Sequence, residues 1–188
     1  MKKHFLFLIV LLAFSVMANA QLVKSQTLTK NSQKKHEVWM DFGAGVSCSR
    51  LAGDSPQNAF RASVGIRWTK CYGQYFAMDY INFSASYSPD KSKKDGGGAS
   101  LLIGPKAKLP ISEKATLFAN ANFGAAYLTF AILDHRYNGV SYCQETGLGI
   151  IFNERVSLSA AYIYCPKVGD YKYKVINDSF VGKFSFSF

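Results

Sequence analysis

Histidine is scarce in this chain of 188 residues: there are three, none spaced with the four cysteines in a metal-binding pattern. No Cys-x-x-Cys pair occurs either. These absences remove the usual zinc and dithiol arrangements, so no metal and no cofactor is expected. Helical periodicity is also missing, since no long stretch repeats apolar residues at i, i+3, i+4 and i+7. Beyond the first twenty residues, no apolar run approaches the roughly 18 residues of a membrane-spanning helix. Acid is short as well: 12 Asp and Glu stand against 22 Lys and Arg, a formal charge of +10. What the sequence has instead is 48% hydrophobic residues, 15% aromatics and 15 glycines.

The opening stretch MKKHFLFLIVLLAFSVMANA reads as a secretory signal peptide over 1–20. Lys2 and Lys3 form a positive start, Phe5 to Phe14 is apolar throughout, and Ala-Asn-Ala precedes Gln21. A buried core helix is the alternative, but the flanks and position favour a signal peptide over a core helix or a membrane anchor. No cysteine follows the cleavage site, which argues against a lipoprotein. The segment 21–36 holds Lys24, Lys30, Lys34 and Lys35 and no acid, so it reads as a flexible basic segment. A basic balance suits nucleic acid or anionic surfaces. For an exported chain, nucleic acid is set aside and anionic glycolipid is preferred.

The dominant period in 37–188 is two, which marks strands with two unlike faces. Eight segments carry it: 37–49, 59–72, 75–88, 100–111, 115–130, 139–152, 156–165 and 179–188. Their connections alternate in length. After the second, fourth and sixth come the short Gly-Gln, Ser-Glu-Lys and Asn-Glu-Arg links, while the others are longer and polar or glycine-rich. A soluble meander has no reason to sort its loops, whereas a membrane barrel has short turns at one end and long loops at the other. Each segment is also about ten residues or more, the length that crosses a bilayer at a tilt. The expected fold is all-β, an eight-stranded antiparallel up-and-down transmembrane barrel over 37–188.

The faces agree along the second segment, where Phe60, Ala62, Val64, Ile66 and Trp68 oppose Arg61, Ser63, Gly65, Arg67 and Thr69. Periodicity alone cannot say which face is inside. In a soluble lipocalin-like barrel the apolar face lines a ligand cavity, and in a membrane barrel it meets lipid. The polar face is rich in Gly, Ser and Asn, which suits the narrow lumen of an eight-stranded barrel. Aromatics cluster toward the proposed rims: Trp68, Tyr72, Phe152 and Phe188 at one end, Tyr87, Tyr127, Tyr142 and Tyr164 at the other. The third segment fits worst, because Asp79 shares the lipid parity of Ile81, Phe83 and Ala85. A bulge or a place near the rim would accommodate it.

With GAGVS in the first segment, IGPKAKLPI in the fourth and ETGLGIIFNERVSLSAAYIY across the last short turn, the chain from about residue 37 resembles the small eight-stranded outer-membrane barrels of Gram-negative bacteria. The OmpX/OmpA-type and porin-family barrel proteins are the group meant. The resemblance implies residence in the cell outer membrane. It also implies partners: outer-membrane lipid, lipopolysaccharide, and the insertion machinery that reads a closing strand with Phe184, Phe186 and Phe188. It implies a monomer. No peptidoglycan-binding domain follows the barrel in this sequence, a departure from the full OmpA arrangement.

The inward parity collects Asp41, Arg61, Arg67, Lys106, Lys108, Glu145 and Lys183. Such charges must be paired or wet, so an interlocking network that plugs the lumen is expected in preference to an ion path. Among the cysteines, Cys143 and Cys165 each lie eleven residues from Glu154, the centre of the last short link. A three-residue hairpin there would oppose them within disulfide reach, and an exported chain meets an oxidising compartment. Cys48 and Cys71 fall at opposite rims. The Asp134–His135 pair and the lysines Lys91, Lys93, Lys94, Lys172 and Lys174 are placed in outer loops. No catalytic residue is assigned and no enzyme is expected. The function expected is a structural, surface-interaction or minor-channel role, with a soluble ligand-binding barrel or a rim-active hydrolase as alternatives.

Overall fold

A computed structural model describes residues 36–51, 57–89, 96–132, 135–168 and 175–188. It is built of eight strands: β1 (His36–Leu51), β2 (Gln57–Cys71), β3 (Phe76–Ser88), β4 (Gly96–Ser112), β5 (Ala115–Ile132), β6 (His135–Phe152), β7 (Val156–Val168) and β8 (Val175–Ser187). Each pairs antiparallel with its sequence neighbours, and β8 closes on β1, giving one up-and-down barrel with no free sheet edge. Closure runs from Trp39 opposite Ser187 to Leu51 opposite Val175. Closing the sheet satisfies the backbone of both terminal strands, which an open sheet would leave bare.

The alternation in sequence becomes an alternation in space. Val64, Ile66 and Trp68 point outward on β2, while Arg61, Arg67 and Thr69 are buried inside. On β8, Phe180 and Phe184 point outward, while the alternate residues Ser179, Val181, Lys183 and Ser185 are buried. Phe186 stacks on Phe42 of β1 across the closing seam, with ring centroids 5.7 Å apart. The soluble, ligand-binding alternative needs the reverse arrangement, with the arginines and lysines in water. Arg61, Arg67 and Lys106 are instead inside, so that alternative is overturned.

Three short turns gather at one end. Asn153 and Glu154 adopt φ of 49° and 58° in the turn between β6 and β7. The left-handed backbone closes a tight three-residue loop, with Phe152 opposite Val156. Between β4 and β5 only Glu113 and Lys114 intervene. Between β2 and β3 the turn is Tyr72 to Tyr75, longer than the two residues read from the sequence. Gly73 sits there at φ +117°, and the Tyr72 amide donates to the Phe76 carbonyl at 2.9 Å.

At the other end the strands run further than the amphipathic pattern. β5 and β6 extend to Ile132 and from His135, so their connection is two residues rather than a long loop. Gly96, Gly97 and Gly98, read as loop, pair in β4 with Ser88, Tyr87 and Ser86. Backbone ladders continue after the two-faced pattern fades, because the ladder bonds need no particular side chain.

One irregularity decides a face. Across β2 and β3, Trp68 opposes Ile81 while the next residue, Thr69, opposes Asp79. Tyr80 is the extra residue of a bulge in β3, and it and Ile81 both point outward. The bulge shifts parity by one. Asp79, out of step by simple counting, is thereby turned into the lumen and is fully buried.

Candidate functional site

The lumen is the only region where charged side chains from many strands converge among the described residues, and it is layered. At the turn end, Trp39, Phe118 and Ile151 form a buried apolar plug. The Arg67 guanidinium lies 5.6 Å from the Trp39 ring and 6.0 Å from Phe118. Lys106 Nζ lies 5.4 Å from Phe118. These cations rest on ring faces, where the quadrupole partly replaces lost water. Nearer the mouth, Lys108 Nζ meets Glu37 Oε1 at 2.6 Å. The Cys71 thiol donates to the same oxygen at 3.1 Å, and Trp39 Nε1 donates to Glu37 Oε2 at 3.0 Å.

The middle layer is ionic. Asp79 Oδ1 receives Lys106 Nζ at 2.8 Å and the Thr69 hydroxyl at 2.6 Å. Its other oxygen accepts Asn122 Nδ2 at 3.3 Å. Arg67 Nη2 reaches Asp41 at 3.3 Å. Lys183 Nζ reaches Glu145 Oε2 at 2.6 Å, and Asn82 Nδ2 donates to Glu145 Oε1 at 3.3 Å. Removing such groups from water is expensive, and only pairing with further hydrogen bonds offsets the penalty. Small residues make room for the long side chains: a Cβ at Gly147 would lie 2.6 Å from Asn120 Oδ1.

Toward the loop end the lumen is mixed. Leu102, Ala126, Leu128, Ile163, Val175 and Val181 form an apolar wall with the disulfide between Cys143 and Cys165. That bridge joins adjacent strands at a Cα separation of 4.4 Å. Within the same end, Arg61 Nη1 donates to the Ser179 hydroxyl at 2.8 Å. Asn177 Nδ2 donates to Ser47 at 3.0 Å and to Ser49 at 2.8 Å. At the rim, Arg50 pairs with Asp178 at 3.0 Å.

All seven charged residues assigned to the lumen from the sequence face inward, Lys108 being half-buried at the mouth. Six of them fall in separate ion pairs, not one continuous chain, and Arg61 is in none among the described residues. Glu37, Asp79, Asn82 and Trp39 are further members that the sequence reading did not include, whereas Thr69 already stood on the polar face of β2. Glu37 and Trp39 share the parity of Asp41, so simple alternation along β1 contained them. Apolar residues also occupy the interior at both ends, beside the Gly, Ser and Asn expected there. Cys48 and Cys71 carry free thiols near opposite ends. Phe184 and Phe188 face outward, with Phe186 half-buried beside Phe42. The strand itself stops at Ser187, while the Phe188 amide still donates to the Val38 carbonyl at 3.1 Å.

His135 was read as a loop residue; its backbone instead opens β6, opposite Ile132. Asp134, the lysines Lys91, Lys93, Lys94, Lys172 and Lys174, and the segment 1–35 lie outside the described residues. Among the described residues, no three His, Cys, Asp or Glu side chains gather in a way that could hold a metal ion.

A closed eight-stranded barrel with apolar side chains outside and paired charges inside has the fold of the small outer-membrane barrels. Solved structures share that fold. Neisserial surface protein A matches with a TM-score of 0.57 and 11% identity, over 82% of this chain and 98% of that one. The outer membrane enzyme PagL matches with a TM-score of 0.50 and 15% identity, over 76% of this chain and 97% of its own. Ail, the attachment invasion locus protein of Yersinia pestis, matches with a TM-score of 0.49 and 16% identity, over 82% and 99%. No protein-family model and no curated protein sequence matches the chain.

Proposed function

We propose that this chain is an integral barrel of the Gram-negative outer membrane, non-catalytic, with a structural or surface-interaction role. The observation that carries this reading is the inversion of faces: large apolar side chains point outward on all eight strands, over a lumen of buried ion pairs. In water that outer surface would be an aggregation hazard. In a bilayer it is the solvated surface, and the strands, 13 to 18 residues long, exceed the crossing length of about ten. Outer-membrane lipid and lipopolysaccharide are the proposed surroundings. Phe184, Phe186 and Phe188 on the closing strand are the proposed signal for the insertion machinery. Closure leaves no edge for pairing with a second copy, which favours a monomer.

Conduction is disfavoured within this reading. An apolar plug stands at the turn end, an apolar cluster narrows the loop end, and eight of the inward charges are held in four ion pairs. Fractionation tests the placement. The mature protein is expected in carbonate-washed outer membranes, running differently on a gel before and after boiling. Recovery in the soluble periplasm would contradict it.

A further inference from the structure

The ion pairs of the lumen leave one cation over. Lys106, Lys108, Arg67 and Lys183 each meet a carboxylate, from Asp79, Glu37, Asp41 and Glu145 respectively. Arg61 is as buried as they are, 5% exposed, and is in no ion pair among the described residues. Its Nε has no hydrogen-bond partner at all. Glu145 acts on it electrostatically, but that carboxylate is already held by Lys183 at 2.6 Å and by Asn82 at 3.3 Å. One negative charge cannot neutralise two buried cations.

The surroundings of Arg61 are donors. Ser179 accepts from Arg61 and passes its own proton to Ser47 at 3.2 Å. Ser47 also accepts from Asn177, as does Ser49. The hydroxyl protons of Ser47 and Ser49 are given to no acceptor among the described residues. All four partners are at least nine-tenths buried, and they form a polar column down β1 and β8 from the outer end to Arg61. A guanidinium with a free N–H, hydroxyls with protons to give, and no carboxylate bonded to it among the described residues is the chemistry that holds an anion. An isolated charge buried without a counter-charge costs several kcal/mol, which gives anion binding beside Arg61 a driving force.

We infer that the lumen holds a small inorganic monoanion, with chloride the natural candidate, bound by Arg61 beneath the hydroxyls of Ser47 and Ser49. Among the described residues the charge excess is one, which selects a monoanion. An eight-stranded lumen filled by side chains leaves no room for a bulky organic ion. The inference rests on the interior geometry and is independent of the membrane reading.

The test uses the full mature chain folded in zwitterionic detergent. Thermal unfolding is followed in sodium chloride and in sodium gluconate at equal ionic strength. Chloride is expected to raise the midpoint in a saturable way, and Arg61→Gln is expected to lose that dependence. Lys70→Gln, on the outer face of the same strand, is expected to keep it. Crystals grown in bromide are expected to show an anomalous peak beside Arg61, which decides the matter even if Arg61→Gln does not fold. A wild-type midpoint indifferent to chloride, an equal dependence in Arg61→Gln, or a bromide-free lumen overturns the inference.

Discussion

At the residue scale, buried charge dominates the interior. Lys106 is 1% exposed and Asp79 is fully buried, so neither can shed its charge into water. Breaking such a pair from one side strands the other, at a cost of about 3–5 kcal/mol, while replacing both with apolar groups is often close to neutral. Lys106→Met alone is therefore expected to lower the stability of the barrel in detergent by about that amount. The double variant Lys106→Met with Asp79→Leu should recover most of the loss. Denaturant unfolding measures both, and equal losses in single and double variants would show that the pair is not the unit. The inward set was legible at this scale wherever alternation is unbroken: Asp41, Arg61 and Arg67 all follow from counting by two. Asp79 was legible only as a misfit. Counting cannot see that one added residue has turned the strand over.

At the scale of the strand, Tyr80 is that added residue. Without it, Asp79 and Ile81 would be consecutive, opposing Thr69 and Trp68, which are consecutive already. Deleting Tyr80 is therefore expected to leave both faces of β3 as they are and to preserve the boiled-versus-unboiled gel shift. Deleting Ile66 from the regular part of β2 should invert half the strand and abolish the shift, because a one-residue slip exchanges the two faces. Loss of folding in both deletions would mean that the bulge itself is required. Strand ends were the least legible feature. The last residues of β5 and the first of β6 carry no clean alternation, yet their backbones pair from Phe130 opposite Tyr137 to Ile132 opposite His135. Hydrogen bonds between main chains leave no mark in the side-chain pattern. The disulfide had a different source of legibility: a symmetric distance from a turn, which depends only on the turn being three residues long. The turn between β2 and β3 shows how easily that condition fails, since two residues were read and four are found.

At the scale of the whole molecule, eight strands with sorted faces admit two closed barrels, one the inside-out of the other. Composition and period are identical for both. What separates them is where the long charged side chains find partners. Only the polar-inside barrel brings Lys183 to Glu145 and Lys106 to Asp79. The two tryptophans of the chain report on this choice directly, because they stand on opposite faces. Trp39 is 1% exposed in the lumen, and Trp68 is 45% exposed on the outer surface. The decisive measurement is fluorescence quenching by lipids brominated on their acyl chains, in vesicles carrying Trp39→Phe or Trp68→Phe. Emission from Trp68, alone in Trp39→Phe, is expected to be strongly quenched, while emission from Trp39, alone in Trp68→Phe, is expected to be nearly untouched. Equal quenching of the two, or quenching of Trp39 alone, would contradict the account.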